Sequence, residues 1–303
     1  MNQITEYKKK HSKIIKYFFN KGYFDWLCDS SYLKIKYRFL MGKKLDLDNP
    51  KTLNEKLNWL KLHNRNPLFT TLVDKVAVKE YVRKKYGAKY IIPTIGVYSS
   101  LKEIDIDSLP NQFVIKPNHD SGTYLICQDK NTFDWKSAKK ILNRALKRNF
   151  YKMHRAWPYK NVHRKILCEK MLPIADGRLP IDYKFFCFDG KADCVMLCLD
   201  RDTPNARYYF FDKNWNLLRY NVAGRQASDD FTLPKPSKIG KMFEFAANLS
   251  KDMQFVRIDL YYENDNIYFG EYTFFPDDGF DYNLLVEADY KLGQKIQLKE
   301  YTV

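Results

Sequence analysis

An α+β fold, with helical runs leading into antiparallel hairpins, is predicted by two features of this 303-residue sequence. Apolar residues recur at helical spacing through Ile4 to Leu62 and again from Thr70 to Tyr86. Runs rich in β-branched and aromatic residues, split by short polar or glycine turns, then occupy Gln112 to Cys127, Asp182 to Leu199 and Val256 to Thr273.

The first helical stretch is punctuated by Asn49-Pro50. Thr52 then caps a helix, Glu55 completes a capping box, and Leu57, Trp59 and Leu60 gather near one another. Thr70 to Tyr86 reads as one helix closed by Gly87, with Leu72, Val76 and Val82 inward and Asp74, Lys75 and Lys79 near its start. Ile91 to Val97 reads as a strand interrupted by Pro93. In Gln112 to Cys127 two strands flank the loop Pro117 to Gly122, whose amides could fold over phosphates while Lys116 directs its ammonium at them. An ordinary hairpin with an exposed tip is the alternative. The loop is not a Walker A motif, because it lacks the Gly-Lys-Ser/Thr ending.

Asp134 to Phe150 reads as a basic amphipathic helix and Lys165 to Leu172 as a strand. Asp182 to Asp189 and Ala192 to Leu199 form a hairpin around Asp189-Gly190, and Ile239 to Leu249 is a helix with Met242, Phe243, Ala246 and Leu249 inward.

The last hairpin carries the chemistry. Arg257, Asp259 and Tyr261 share one strand face, and Phe269, Glu271 and Thr273 share a face of the return strand. A three-residue loop, Asn264-Asp265-Asn266, sets Asp259 opposite Glu271 and Arg257 opposite Thr273. A two-residue loop at Asn264-Asp265 would set Asp259 against Gly270 and separate the carboxylates. The first register is expected. Facing carboxylates destabilise a sheet unless a cation lies between them, and such a pair suits Mg²⁺, which keeps waters and phosphate oxygens as further ligands. Solvated acids on an edge hairpin are the bland alternative.

The formal charge of +16 calls for an anionic partner, such as nucleotide phosphates, acidic polysaccharide, an anionic membrane surface or nucleic acid, although the lysines of Lys136 to Arg148 suit a solvated helix face. Aromatics make up 16% of the chain, which excludes disorder. The first residues lack the apolar core of a secretory signal, and no apolar run reaches the roughly 18 residues that span a bilayer. A cytoplasmic protein, at most peripheral to the inner membrane face, is expected. The six cysteines show no Cys-x-x-Cys spacing and no zinc signature.

Taken in order, Asp74-Lys75, Phe113-Val114-Ile115-Lys116, Cys168-Glu169-Lys170-Met171-Leu172, Arg257-x-Asp259 and Glu271-x-Thr273 resemble ATP-grasp enzymes. Thr52 to Leu57, Lys116 to Gly122, Trp157 to Asn161, Asp182 to Gly190 and Phe255 to Asp259 resemble the TupA-like branch, named for teichuronopeptide biosynthesis. The resemblance implies two α+β subdomains clasping ATP after an N-terminal helical segment: residues 1–69 helical, 70–164 the N-terminal subdomains, and 165–303 the C-terminal subdomain with the metal hairpin.

It further implies that Lys75 and Lys116 hold phosphates under a flexible Ser121-Gly122 lid. Glu169, Lys170, Met171 and Leu172 would meet adenine, through backbone groups and the Glu169 side chain, and Asp176 the ribose. Asp259 and Glu271 would bind Mg²⁺, with Thr273 standing where family members commonly have Asn. Arg257 would stabilise the charge on an acyl phosphate and its tetrahedral successor. The implied reaction joins a carboxylate, such as a uronic acid of a cell-surface glycan, to an amine or amino acid. A kinase or sugar-transferring role is the enzymatic alternative. A polyanion- or nucleic-acid-binding module would leave the facing acids unexplained. His119, His154 and His163 are all open as general base.

Overall fold

The computed structural model describes residues 15, 17–173, 180–200, 203 and 206–301. Helix α1 (Asp29–Met41) and α2 (Leu53–His63) open the chain. The capping box forms as the sequence requires: Thr52 accepts from Glu55 N, and the Glu55 carboxylate accepts from Thr52 N.

The single helix expected over Thr70 to Tyr86 is two, α3 (Leu68–Val73) and α4 (Ala77–Tyr86). Asp74 causes the break. Its carboxylate accepts from Val76 N at 2.8 Å and from Asn118 Nδ2, so the side chain competes for amides that a continuous helix would use. Val76 is consequently only half-buried, whereas Val78 and Val82 enter the core.

Strands β1 (Thr94–Tyr98), β2 (Phe113–Pro117), β3 (Leu125–Cys127) and β4 (Ile166–Lys170) make a four-stranded antiparallel sheet in the order β1-β4-β2-β3. Between β3 and β4 come α5 (Trp135–Leu146), capped by Asp134, and α6 (Phe150–His154). Leu142 of α5 packs with Phe113, Ile115 and Cys168 on this sheet. Since β4 pairs with β1 and β2, position 165 is not a boundary between sheets.

A larger antiparallel sheet has the order β10-β9-β5-β6-β7-β8. It comprises β5 (Tyr183–Phe188), β6 (Lys191–Leu199), β7 (Arg207–Asp212), β8 (Leu217–Leu218), β9 (Phe255–Glu263) and β10 (Asn266–Thr273). Helices α7 (Val222–Gln226), α8 (Ile239–Leu249) and α9 (Val286–Gly293) complete the described elements.

Strand alternation gives the larger sheet two buried faces. Val256, Ile258 and Leu260 meet Met242, Phe243, Ala246 and Leu249 of α8 on one. Phe186, Phe188 and Phe255 meet Leu57 and Leu60 of α2 and Leu292 of α9 on the other. At about 2 kcal/mol per buried side chain of this size, both faces contribute heavily to folding. Helix α2 is therefore part of the core. Helices α2 and α9 approach so closely that a Cβ at Gly293 would lie 2.3 Å from the Lys51 carbonyl oxygen. Among the described residues, no helix is long and apolar enough to cross a membrane.

Candidate active site

The β9–β10 hairpin reaches the expected pairing by an unexpected route. Its turn is the two-residue Asn264-Asp265, with φ of 49° and 62°, conformations that Asn and Asp tolerate. Alone, that turn would have misaligned the acids. A β-bulge between Phe269 and Glu271 absorbs the extra residue, and beyond it Glu271 pairs with Asp259 and Thr273 with Arg257. Gly270 permits this, because a Cβ there would lie 2.8 Å from the Asp259 carbonyl oxygen. The bulge also corrects one facing expectation: Phe269 joins Tyr272 in the core rather than Glu271 and Thr273 at the site.

On the resulting platform the Arg257 guanidinium grips Asp259 through two hydrogen bonds, Nε to Oδ1 and Nη2 to Oδ2, both 2.7 Å. Lys184 from the neighbouring β5 donates to Asp259 Oδ2 at 2.8 Å and to Asp182 at 3.1 Å. Thr273 Oγ1 accepts from Arg257 and donates to Glu271 Oε1, each at 3.2 Å.

The smaller sheet brings the opposing wall. The break after α3 presents Lys75, which lies 3.4 Å from Glu271 Oε2 and donates to the Asp120 carbonyl. Asn118 anchors the base of the 117–122 loop through Asp74, the His163 carbonyl and Lys165 N, leaving Ser121 and Gly122 exposed at its tip. Glu169, only 4% exposed, is bound by both Lys79 and Lys116. Its carboxylate is thus the counter-ion that holds Lys116 in place.

These walls enclose a cleft of about 270 Å³ between the sheets. Lys75, Lys116, Ser121, Gly122, Glu169, Lys170, Met171, Leu172, Arg257, Asp259 and Glu271 all line it. Thr273 lies at the rim of an adjoining cavity, and Asp176 falls outside the described residues. Sequence reasoning missed the roles of Lys184, Asp182 and Lys79. Asp182 and Lys184 flank Tyr183 at the start of β5, an i, i+2 spacing that was available in the sequence. The pairing of Lys79 with Glu169 spans 90 residues and left no local trace.

A family model described as TupA-like ATPgrasp matches residues 55–297. The chain belongs to the TupA-like ATP-grasp family. Its fold is the α+β ATP-grasp fold behind an N-terminal helical part. No curated protein matches it. Among solved structures it is similar to D-alanine–D-alanine ligase from Bacillus anthracis complexed with ATP, with TM-score 0.44, 15% identity, and coverage of 75% of this chain and 65% of that one. It is also similar to the ATP-grasp ligase PsnB complexed with a phosphomimetic variant of minimal precursor, Mg and ADP (TM-score 0.40, 10% identity, coverage 79% and 63%). D-alanine–D-alanine ligase from Helicobacter pylori gives TM-score 0.41 at 14% identity, covering 82% of this chain and 70% of that one. The chain therefore spans 65% and 63% of the first two of these chains.

In this cleft neighbouring charges hold Glu271, Glu169 and Lys184 in their ionised forms. Burial alone would raise the Glu271 carboxyl, but Lys75, Lys184 and Arg257 outweigh it and keep the group below its usual range. Glu169 behaves likewise: burial opposes ionisation, and Lys116 and Lys79 overcome it. Burial would lower Lys184, yet Asp259 and Asp182 raise it.

Proposed function

We propose that this ATP-grasp chain is an ATP- and Mg²⁺-dependent carboxylate–amine ligase. The observation that carries the reading is the convergence, across one cleft, of Lys75 and Lys116 with the Arg257–Asp259–Glu271 platform. Lys75 and Lys116 would hold phosphates, Ser121 and Gly122 would cover them, and backbone groups of Lys170 to Leu172 would meet adenine. Glu169 would act through Lys116, which it orients, and Asp176 remains our choice for the ribose.

Asp259 and Glu271 fit Mg²⁺ in donor chemistry. Both are hard oxygen ligands on paired strands, with the Thr273 hydroxyl hydrogen-bonded to Glu271. Two protein carboxylates would leave the remaining positions of the ion to water and phosphate oxygens. When bound, the ion would neutralise phosphate charge. Arg257, fixed by Asp259 and Thr273, would present a guanidinium edge to the carboxylate as it becomes an acyl phosphate and then an amide. A uronic acid of a cell-surface polysaccharide or its precursor is the carboxylate we favour, in keeping with the basic chain.

Calorimetric titration with ATP, with and without Mg²⁺, tests the first half, and trapping with hydroxylamine tests the second. Mg²⁺-assisted ATP uptake and a hydroxamate formed from uronate are expected. No nucleotide uptake would sink the reading, and ATP consumption yielding a phosphorylated hydroxyl would replace the ligase by a kinase.

A further inference from the structure

A second cavity, of about 440 Å³, adjoins the nucleotide cleft and shares Ser121, Arg257 and Glu271 with it. Its remaining walls come from parts of the chain far from those residues: Asn20, Lys36 and Leu40 of the N-terminal segment, Phe150 and Tyr159 beyond α5, and the 275–283 segment after β10. The two cavities therefore meet at Ser121, Arg257 and Glu271, and neither Lys75 nor Lys116 lines the second.

Its charges differ in kind from those of the cleft. The cations that line it are engaged: Arg257 holds Asp259, and Lys36 donates to Asp278 at 2.7 Å and to the Met153 carbonyl at 2.9 Å. Asp278 is matched by Lys36 and Lys61, with His154 Nδ1 3.0 Å away. Asp277 and Asp281 also line the cavity, and among the described residues neither forms an ion pair. The Asp281 carboxylate meets backbone amides rather than a cation, Asn283 N donating to it at 2.8 Å. Tyr159, Phe275 and Phe280 line the same cavity, in which Asp281 is half-buried and Asp277 exposed.

We infer that this second cavity seats the amine co-substrate, its ammonium facing Asp277 and Asp281 and its nitrogen directed toward the Arg257–Glu271 junction shared with the nucleotide cleft. The inference rests on the ligase reading above. Before the bond-forming step the ammonium would pass one proton to a carboxylate of this wall or to solvent; the free amine nitrogen would then bond to the acyl carbon, phosphate would leave with the C–O bonding pair, and the nitrogen would give up its second proton to solvent. A cavity with engaged cations and unengaged acids favours a cationic ligand over the carboxylate donor, which enters where Arg257 faces the phosphates.

Saturation-transfer NMR on the full chain with AMPPNP and Mg²⁺ provides the test. The probes are glycine methyl ester, L-alaninamide, ethanolamine and glucosamine, each beside its N-acetyl form, which keeps most of the shape and loses the charge. At least one amine should bind saturably where its acetylated form does not, and the Asp277→Asn/Asp281→Asn double variant should weaken it about tenfold or more while ATP affinity holds. Asn20→Lys, a substitution at an exposed wall position that leaves the acids intact, should weaken it too. Amines binding no better than their acetylated forms, or equally well in both variants, would overturn the assignment. Amine binding in a protein that takes up no ATP would support the cavity assignment and count against the ligase.

Discussion

The two adjoining cavities use acids in opposite ways. In the nucleotide cleft every carboxylate with a named role has a cation against it: Asp259 has Arg257 and Lys184, Glu271 has Lys75, and Glu169 has Lys79 and Lys116. In the second cavity Asp278 is matched in the same manner, but Asp277 and Asp281 are not. A matched network holds its shape without ligand, because each buried charge already has its hydrogen bonds. A half-buried acid without a counter-ion, as Asp281 is, raises the free energy of the empty site and falls in energy when a cation arrives. On the proposed reading, the difference separates a preorganised nucleotide cleft from a cavity completed by its ligand.

The comparison breaks first at Asp259. If the cleft works as a unit, Asp259→Asn should cut ADP release by about a thousandfold or more, since one change removes a proposed Mg²⁺ ligand and frees Arg257. Loss of less than about tenfold would mean the platform is structural. Next comes Glu169→Gln. Lys79 and Lys116 would then share a buried site without a counter-charge, and chemical denaturation should report a loss on the order of 3 kcal/mol. An unchanged midpoint would show that water already compensates the lysines. Smaller still, Gly270→Ala should cost about 2 kcal/mol by driving a Cβ into the Asp259 carbonyl and should lower activity by shifting Glu271. Gly240→Ala in α8 serves as its control, because a Cβ there meets nothing within 4 Å and should be neutral or slightly stabilising.

Much of the cleft was legible before any coordinates, because its motifs are local. Strand alternation put Arg257 beside Asp259, and the turn residues marked the hairpin. The route to the register was not legible: periodicity cannot tell a three-residue loop from a two-residue turn followed by a bulge, and only the approach of Gly270 to a neighbouring carbonyl separates them. The break at Asp74 was hidden for a related reason. Valines and lysines on both sides suit a helix, and the side chain that interrupts it is held by Asn118, 44 residues away. The second cavity was invisible altogether, since its walls unite α1 with residues following β10. Such assemblies are products of packing between distant segments and leave no spacing to read.

The smallest expected effect is the most specific to the contrast between the cavities. Burial, and then Asp277, push the Asp281 carboxyl up to about 7, against the pull of the Asn283 and Leu284 amides. A folded-state value above the unfolded value of about 4 means that the folded protein holds this proton more tightly. The associated stability is complete below about pH 4 and is lost as pH rises through 7. His119 runs the other way: burial, then Arg164, lower it to about 4, so its contribution is complete above about pH 6.5 and is lost as pH falls toward 4. In wild-type protein the two oppose each other across this interval, and a single melting curve cannot separate them. The difference between wild type and Asp281→Asn can, because His119 is common to both. Asp281→Asn should match wild type at pH 4 and exceed it by about 1 kcal/mol at pH 8, after allowance for partial solvent screening. A saturating amine probe should erase that advantage by compensating the wild-type acid. A difference that stays flat from pH 4 to 8 would mean that Asp281 ionises as freely as in water, and the empty second cavity would then impose no penalty for a cation to relieve.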